Sequence, residues 1–180
     1  MAFPATTTPR VLFAVLLVAV AAAAAGAANV HVTNQCPFPV WPAAYPVRGG
    51  TLLNPGQIWQ FEVPAGTGGA RIWARTDCIF AGDHGTCKTG DCAGALHCDL
   101  SGKPPATLAE FTVAKDADGF DYYDVSVVDG FNVPMDFSSS TGAEGPIRCR
   151  DPVCADGSHP GAAKVRRCRG NSDYQVVFCP

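Results

Sequence analysis

Helical periodicity is what this 180-residue chain lacks most. No amphipathic stretch longer than two turns repeats at the helical spacing, which excludes a helical bundle. Basic charge is also short. Setting aside Arg10 near the N-terminus leaves 12 Lys and Arg against 16 Asp and Glu, a net charge of about −4. Nucleic acid and anionic membrane are thereby excluded as partners recruited by charge. His84 and His97 sit near cysteines, but no CxxC…CxxC or CxxC…HxxxH spacing occurs, so no metal site is expected. There is no internal repeat, and without an N-x-[ST] sequon N-glycosylation is not expected.

The N-terminal segment does carry a long apolar run. Arg10 precedes "VLFAVLLVAVAAAAAGAANVH", which has the charged, apolar and small-residue parts of a secretory signal peptide. A membrane anchor is the alternative, since the run is about long enough to span a bilayer. The alanine-rich second half and the A-x-A-like sites around Ala25 to Ala28 favour cleavage near Ala28. Residues 1–28 are therefore expected to be a signal peptide and 29–180 one domain of about 152 residues. No later segment is apolar for long enough to cross a membrane.

All nine cysteines lie after this segment. In an exported chain such density indicates a disulfide framework, and an odd count leaves at least one thiol over. Cys78 and Cys87, Cys92 and Cys98, and Cys149 and Cys154 are close pairs that would each restrict a local loop. A bridge from Cys36 to Cys179 would tie the two ends of the domain together and remove more chain entropy. Short β-rich runs alternate with Gly and Pro turns: "NVHVTNQC", "PVWPAAYPV", "QIWQFEV", "GGARIWART", "TLAEFTVA", "FDYYDVSVV" and "YQVVFCP". In "QIWQFEV", Ile58, Gln60 and Glu62 oppose Trp59, Phe61 and Val63, and the prolines of "PVWPAAYPV" suit an edge strand. About eight or nine strands without helices give an all-β sandwich or barrel.

"NQCPFPVWPA", "ARIWARTDC", "CKTGDC", "GKPPATLAEFT", "YYDVSVVDGFNVPMDF" and "YQVVFCP" together resemble the thaumatin-like, pathogenesis-related proteins of plants. The resemblance runs from Asn34 to Pro180 and implies an antiparallel β-sandwich with disulfide-stapled loops. Only a short linker separates Cys154 from Cys168, so the chain resembles the small members that lack a cysteine-rich second domain. The resemblance also implies the pairs Cys36–Cys179, Cys78–Cys87, Cys92–Cys98 and Cys149–Cys154. Small members read F-S-C-S-T-G where this chain reads "FSSSTG", so Ser139 takes the place of a cysteine and Cys168 is left as a free thiol. An exposed thiol beside Arg166, Arg167 and Arg169 would be open to mixed disulfides. The expectation is instead a buried thiol facing Ser139.

The same resemblance implies an acidic cleft of Arg71, Glu110, Asp124 and Asp129, associated in the family with β-1,3-glucan. Its remaining Asp would come from the second domain and has no equivalent. Taken by themselves, two neighbouring carboxylates can accept hydrogen bonds from sugar hydroxyls or share acid and base roles, and an Arg beside them favours ionisation. Asp124 and Asp129 differ by an odd number, so they share a side only if the chain bends at Asp129-Gly130. The plain alternative is rim charges and an ordinary Asp-Gly turn. Without a second domain the cleft should be shallow and wet, which disfavours a raised carboxyl pKa and hence catalysis. Trp59 and Trp73 are expected in the core, and one of Tyr122 and Tyr123 should face out, along the groove.

The functional expectation is a secreted, antifungal plant defence protein of the apoplast that binds cell-wall β-1,3-glucan. The resemblance implies that a chain ending at "FCP", without the extension that sends some members to vacuoles, is expected outside the cell. It is expected to be monomeric and without cofactor. One alternative is a proteinaceous inhibitor of microbial glycosidases such as xylanase, a branch that tends to lack the aspartates retained here as Asp124 and Asp129. The other is a weak endo-β-1,3-glucanase.

Overall fold

The computed structural model describes residues 26–47, 49–170 and 172–180, so the expected signal peptide falls, up to residue 25, outside the described residues. Thirteen strands are present and no helix among the described residues. In chain order they are β1 (Ala28–Asn34), β2 (Trp41–Tyr45), β3 (Gly49–Gly50), β4 (Ile58–Val63), β5 (Ala70–Arg75), β6 (Ile79–Ala81) and β7 (His84–Thr86). There follow β8 (Leu108–Phe111), β9 (Phe120–Ser126), β10 (Met135–Ser139), β11 (Ile147–Cys149), β12 (Arg166–Arg169) and β13 (Tyr174–Phe178). The protein is all-β. A five-stranded sheet, β11-β10-β13-β1-β4, faces a six-stranded sheet, β12-β9-β8-β5-β2-β3, and β6 and β7 form a separate hairpin.

Period-two alternation builds the core between the sheets. Val30 and Val32 of β1, Ile72 of β5, Phe111 of β8 and Tyr123 of β9 are buried with Phe137, Tyr174, Val176 and Phe178. At its centre Tyr174 lies 4.5 Å from Phe111 and 5.6 Å from Phe137, and Tyr123 meets Phe137 edge-on. Such tilted and edge-on pairs suit the aromatic quadrupole. Trp59 also points inward but stays partly exposed, because β4 is an edge strand and only one flank of the indole is covered.

One pair departs from an antiparallel plan. β1 runs parallel to β13, Val32 opposite Val176, while the other strand pairs are antiparallel. The two ends of the domain thus lie side by side, and Cys36 is bonded to Cys179 just beyond both strands. β2 is not the edge either. The two-residue β3 covers Ala43 and Ala44, leaving Pro42 outside that pairing, where its missing N–H costs nothing.

A second, smaller core lies on the outer side of the six-stranded sheet. There the loop holding the Cys78–Cys87 and Cys92–Cys98 bridges folds over Trp73 and Leu108, and Cys92, Cys98 and Ala106 pack against them. Trp73 donates its indole N–H to the Gly90 carbonyl at 2.8 Å. Arg75, fully buried, donates to the carbonyls of Trp41 (3.0 Å), Ala95 (2.7 Å) and Leu96 (2.8 Å). Burial lowers its guanidinium to about 10, against the opposing pull of Asp91. Gly50 is required here, since a Cβ would collide with the Leu96 carbonyl. The loop leaves part of the outer face uncovered, and the candidate site lies in that part.

Candidate functional site

Strand register places three of the four expected residues in one row. Arg71 of β5 lies opposite Glu110 of β8, and Glu110 lies opposite Asp124 of β9. Ala70, Ile72, Phe111, Tyr123 and Val125 point into the core on either side, so alternation sends Arg71, Glu110 and Asp124 outward together. Directly opposed residues on one face have Cβ atoms about 4.5–5.5 Å apart. Arg71 Nε is 2.8 Å from Glu110 Oε1, with side chains 38% and 27% exposed. Asp129 is not in this row. It stands in a turn closed by the Gly130 N–H donating to the Val127 carbonyl, with Gly130 at φ +85°. The chain does bend at Asp129-Gly130, yet Asp129 does not line the groove beside Glu110 and Asp124.

Three serines that the sequence does not single out support the row. Ser101, from the disulfide loop, accepts from Arg71 at 3.3 Å. Ser126, two residues beyond Asp124, favours the ionised form of Glu110, and Ser158 does the same for Asp124. Ser158 is buried and held by main-chain bonds to Val125 and Val127. Period two alone could have pointed to Ser126; Ser101 and Ser158 arrive from distant loops and leave no local signal.

The site is drier than a groove without a second domain should be. Asp124 is only 8% exposed, and Ser158 and the segment before β12 cover it. Burial raises the Asp124 carboxyl above its ordinary value, and the neighbouring Ser158 hydroxyl partly opposes the shift. Glu110 is also raised, first by burial; Arg71 pulls it back and Asp124 pushes it further up. Two carboxyls with shifted protons beside an arginine can donate to and accept from sugar hydroxyls.

A groove of about 200 Å³ opens beside the row, lined by Glu110, Thr112, Tyr122, Asp124, Val165 and Gly69 among others. Tyr122 is the outward tyrosine, half exposed, while Tyr123 is buried. A larger concavity of about 290 Å³ lies on the outer face of the other sheet, where His31, Thr33, Ser138, Asp173 and Gln175 contribute. Among the described residues its lining has one carboxylate and no Lys or Arg, so the chemistry favours the smaller groove. Among the described residues no group of three or more His, Cys, Asp or Glu could hold a metal, and no helix is long and apolar enough to cross a membrane.

Cys36–Cys179, Cys78–Cys87, Cys92–Cys98 and Cys149–Cys154 are bonded, and Cys168 is a buried free cysteine. Its sulfur lies 3.7 Å from the Tyr174 hydroxyl. Tyr174 donates its one proton to Asp121 Oδ2 at 2.7 Å, so the thiol is the donor to Tyr174. Ser139 lies opposite Tyr174 in the β10–β13 register, and its hydroxyl accepts from the Thr141 N–H at 3.4 Å.

Residues 34–179 match the Thaumatin family. The chain is 54% identical to a thaumatin-like pathogenesis-related protein 4 of Avena sativa, over 97% of this chain and 99% of that one. It is 52% identical to a thaumatin-like protein of Oryza sativa subsp. japonica over the whole of both chains. Among solved structures it is similar to the thaumatin-like xylanase inhibitor TLXI, with TM-score 0.69 and 36% identity over 84% of this chain and 99% of the other. Together with the two-sheet, disulfide-stapled fold, these similarities place the chain in the thaumatin family.

Proposed function

We propose that this protein is a secreted plant defence protein of the apoplast that binds fungal cell-wall β-1,3-glucan through the Arg71–Glu110–Asp124 row. The observation that carries this reading is the register of β5, β8 and β9, which aligns one cation and two carboxyls on an open face beside an aromatic side chain. Its pathogenesis-related relatives supply the defence context. In this reading Asp124 and Glu110 accept from sugar hydroxyls, Arg71 donates, and Asp129 acts at most at the margin. Binding rather than turnover is the proposed activity, although the partial burial of both carboxyls keeps weak endo-β-1,3-glucanase activity a measurable outcome.

A second reading, inhibition of a microbial glycosidase, is favoured by the similarity to a thaumatin-like xylanase inhibitor over nearly all of that chain. One experiment separates the three. Wild type, Asp124→Asn and Glu110→Gln are each mixed with insoluble β-1,3-glucan, with xylan and with a fungal xylanase. Preferential co-sedimentation of wild type with glucan, weakened in both variants, is expected. Equal binding to xylan, or variants that bind glucan as wild type does, would overturn the glucan reading. Loss of xylanase activity would support the inhibitor, and release of reducing sugar the glucanase.

A further inference from the structure

The groove continues beyond the carboxyls along the seam between β8 and β9. Two residues on from Glu110 stands Thr112, and two residues back from Asp124 stands Tyr122. These residues also face each other. The Thr112 N–H donates to the Tyr122 carbonyl at 2.8 Å, and the Tyr122 N–H donates to Thr112 Oγ1 at 3.1 Å. Alternation therefore keeps Tyr122 on the outer face with Asp124, about 7 Å further along the strand. Tyr122 is half exposed and Val165, 54% exposed, forms the opposite bank.

A third strand completes this end. In β12 Cys168 points into the core, so Arg167 and Arg169 point out. Arg167 lies opposite Tyr122 in the β9–β12 register, and its guanidinium sits 4.8 Å above the centre of the Phe120 ring. Among the described residues no carboxylate pairs with Arg167. Phe120 thus holds a rigid fork of donors beside the exposed ring of Tyr122, at the end of a groove that begins with two carboxyls.

We propose that the seam is a linear oligosaccharide track in which Tyr122 and Arg167 form a second subsite: Tyr122 stacks on the face of a sugar ring while Arg167 donates to its hydroxyls. The ring accepted by Glu110 and Asp124 and the ring over Tyr122 then belong to one chain running along β9. A neutral glycan fits both ends, because apolar ring faces meet Tyr122 and Val165 while hydroxyls meet the carboxyls and the guanidinium. This inference rests on the glucan reading above and adds that the ligand is an oligomer whose affinity grows with length.

Soluble β-1,3-gluco-oligosaccharides of two to six units, titrated calorimetrically, test it. Wild-type affinity is expected to rise with length and then level off. Tyr122→Ala and Arg167→Ala should each lower affinity for the longer oligomers about tenfold and flatten the rise, while leaving the shortest nearly unaffected. Tyr122→Phe, which keeps the ring, should restore the rise, and unchanged melting of the variants controls for folding. Asp124→Asn should weaken every length alike. If Tyr122→Ala and Arg167→Ala retain the wild-type length dependence, the second subsite is wrong while glucan binding stands. If wild type binds no oligomer of any length, the glucan reading fails and this inference with it.

Discussion

Glu110 Oε1 receives the Arg71 guanidinium at 2.8 Å, yet the Glu110 carboxyl is still pushed above its ordinary value. Burial and the neighbouring Asp124 outweigh the ion pair. That ordering is reasonable for a pair this exposed, since surface ion pairs contribute only about 0–1 kcal/mol. The row is therefore a place where the fold gives up stability, as binding sites commonly do.

A pH dependence follows from that cost. The folded chain holds protons on Glu110 and Asp124 to higher pH than the unfolded chain, whose values are near 4.5 and 3.8. Folding then binds more protons than unfolding, so these two groups make stability fall as pH rises upward from that range. Asp124→Asn keeps an acceptor for Ser158 and removes the buried charge. It should raise the melting midpoint at pH 7, by about 2–4 °C for each kcal/mol relieved, and flatten the decline with pH. Melting curves between pH 4 and pH 8 check this, and an unchanged slope would count against it.

Arg75 is the clearest case of a residue in a quoted motif whose role the motif hides. It stands two positions after Trp73 in "ARIWAR" and looks like an exposed strand cation, but its side chain, like the Trp73 indole, ties β5 to the disulfide loop. Arg75→Met would leave the Trp41, Ala95 and Leu96 carbonyls without their donor. The expected loss is about 3 kcal/mol or more, because buried acceptors stripped of partners pay their full desolvation. Chemical denaturation measures the loss, and faster reduction of the Cys92–Cys98 bridge by a mild thiol reports the loosened loop.

How much of this was legible depends on the range of the interaction. Alternation in "QIWQFEV" shows which side of β4 is buried, because the pleat repeats within the strand. Trp73 is in a core, but in the outer one. The facing sheet covers Ala70, Ile72 and Ala74, and the disulfide loop covers Trp73 and Arg75 on the other face while Arg71 stays partly exposed, so period two says nothing about which cover is which. The parallel pairing of β1 with β13 joins the ends of the domain, and no local pattern encodes it. In the row, Arg71, Glu110 and Asp124 came from resemblance alone. Their alignment depends on the register of three strands drawn from separate parts of the chain. Ser101 and Ser158, on loops, were invisible for the same reason.

The position of Ala28 bears on the mature N-terminus. It is fully buried in β1, opposite Val63. Cleavage after residue 28 would remove it from the strand, whereas cleavage after Ala27, following the same A-x-A pattern at Ala25-Gly26-Ala27, would keep it. Under the proposed export, the mature chain should therefore begin at Ala28 rather than Asn29. Intact mass and N-terminal sequencing of secreted protein distinguish the two, and a start at Asn29 would refute the argument.

Cys168 lies at one end of a buried relay: its thiol donates to Tyr174, and Tyr174 donates to the fully buried Asp121, which also accepts from the Ala114 N–H at 2.6 Å. Burial and Asp121 both raise the Tyr174 hydroxyl far above its ordinary value, so it stays a donor at any working pH. The arginines on either side of Cys168 point to the opposite face, away from the thiol. A thiol reagent should then find no reactive group in the folded protein and one after denaturation. Tyr174→Phe would strand one oxygen of Asp121 in the core, with an expected cost of about 1–3 kcal/mol. Cys168→Ala leaves Tyr174 still donating to Asp121 and should cost only the small cavity of the lost sulfur, so it is the milder variant. If Cys168→Ala proves as damaging as Tyr174→Phe, the thiol and not the Tyr174–Asp121 bond is what holds this end of the core. A folded protein that reacts with the reagent at once would show that the thiol is exposed and the relay does not form.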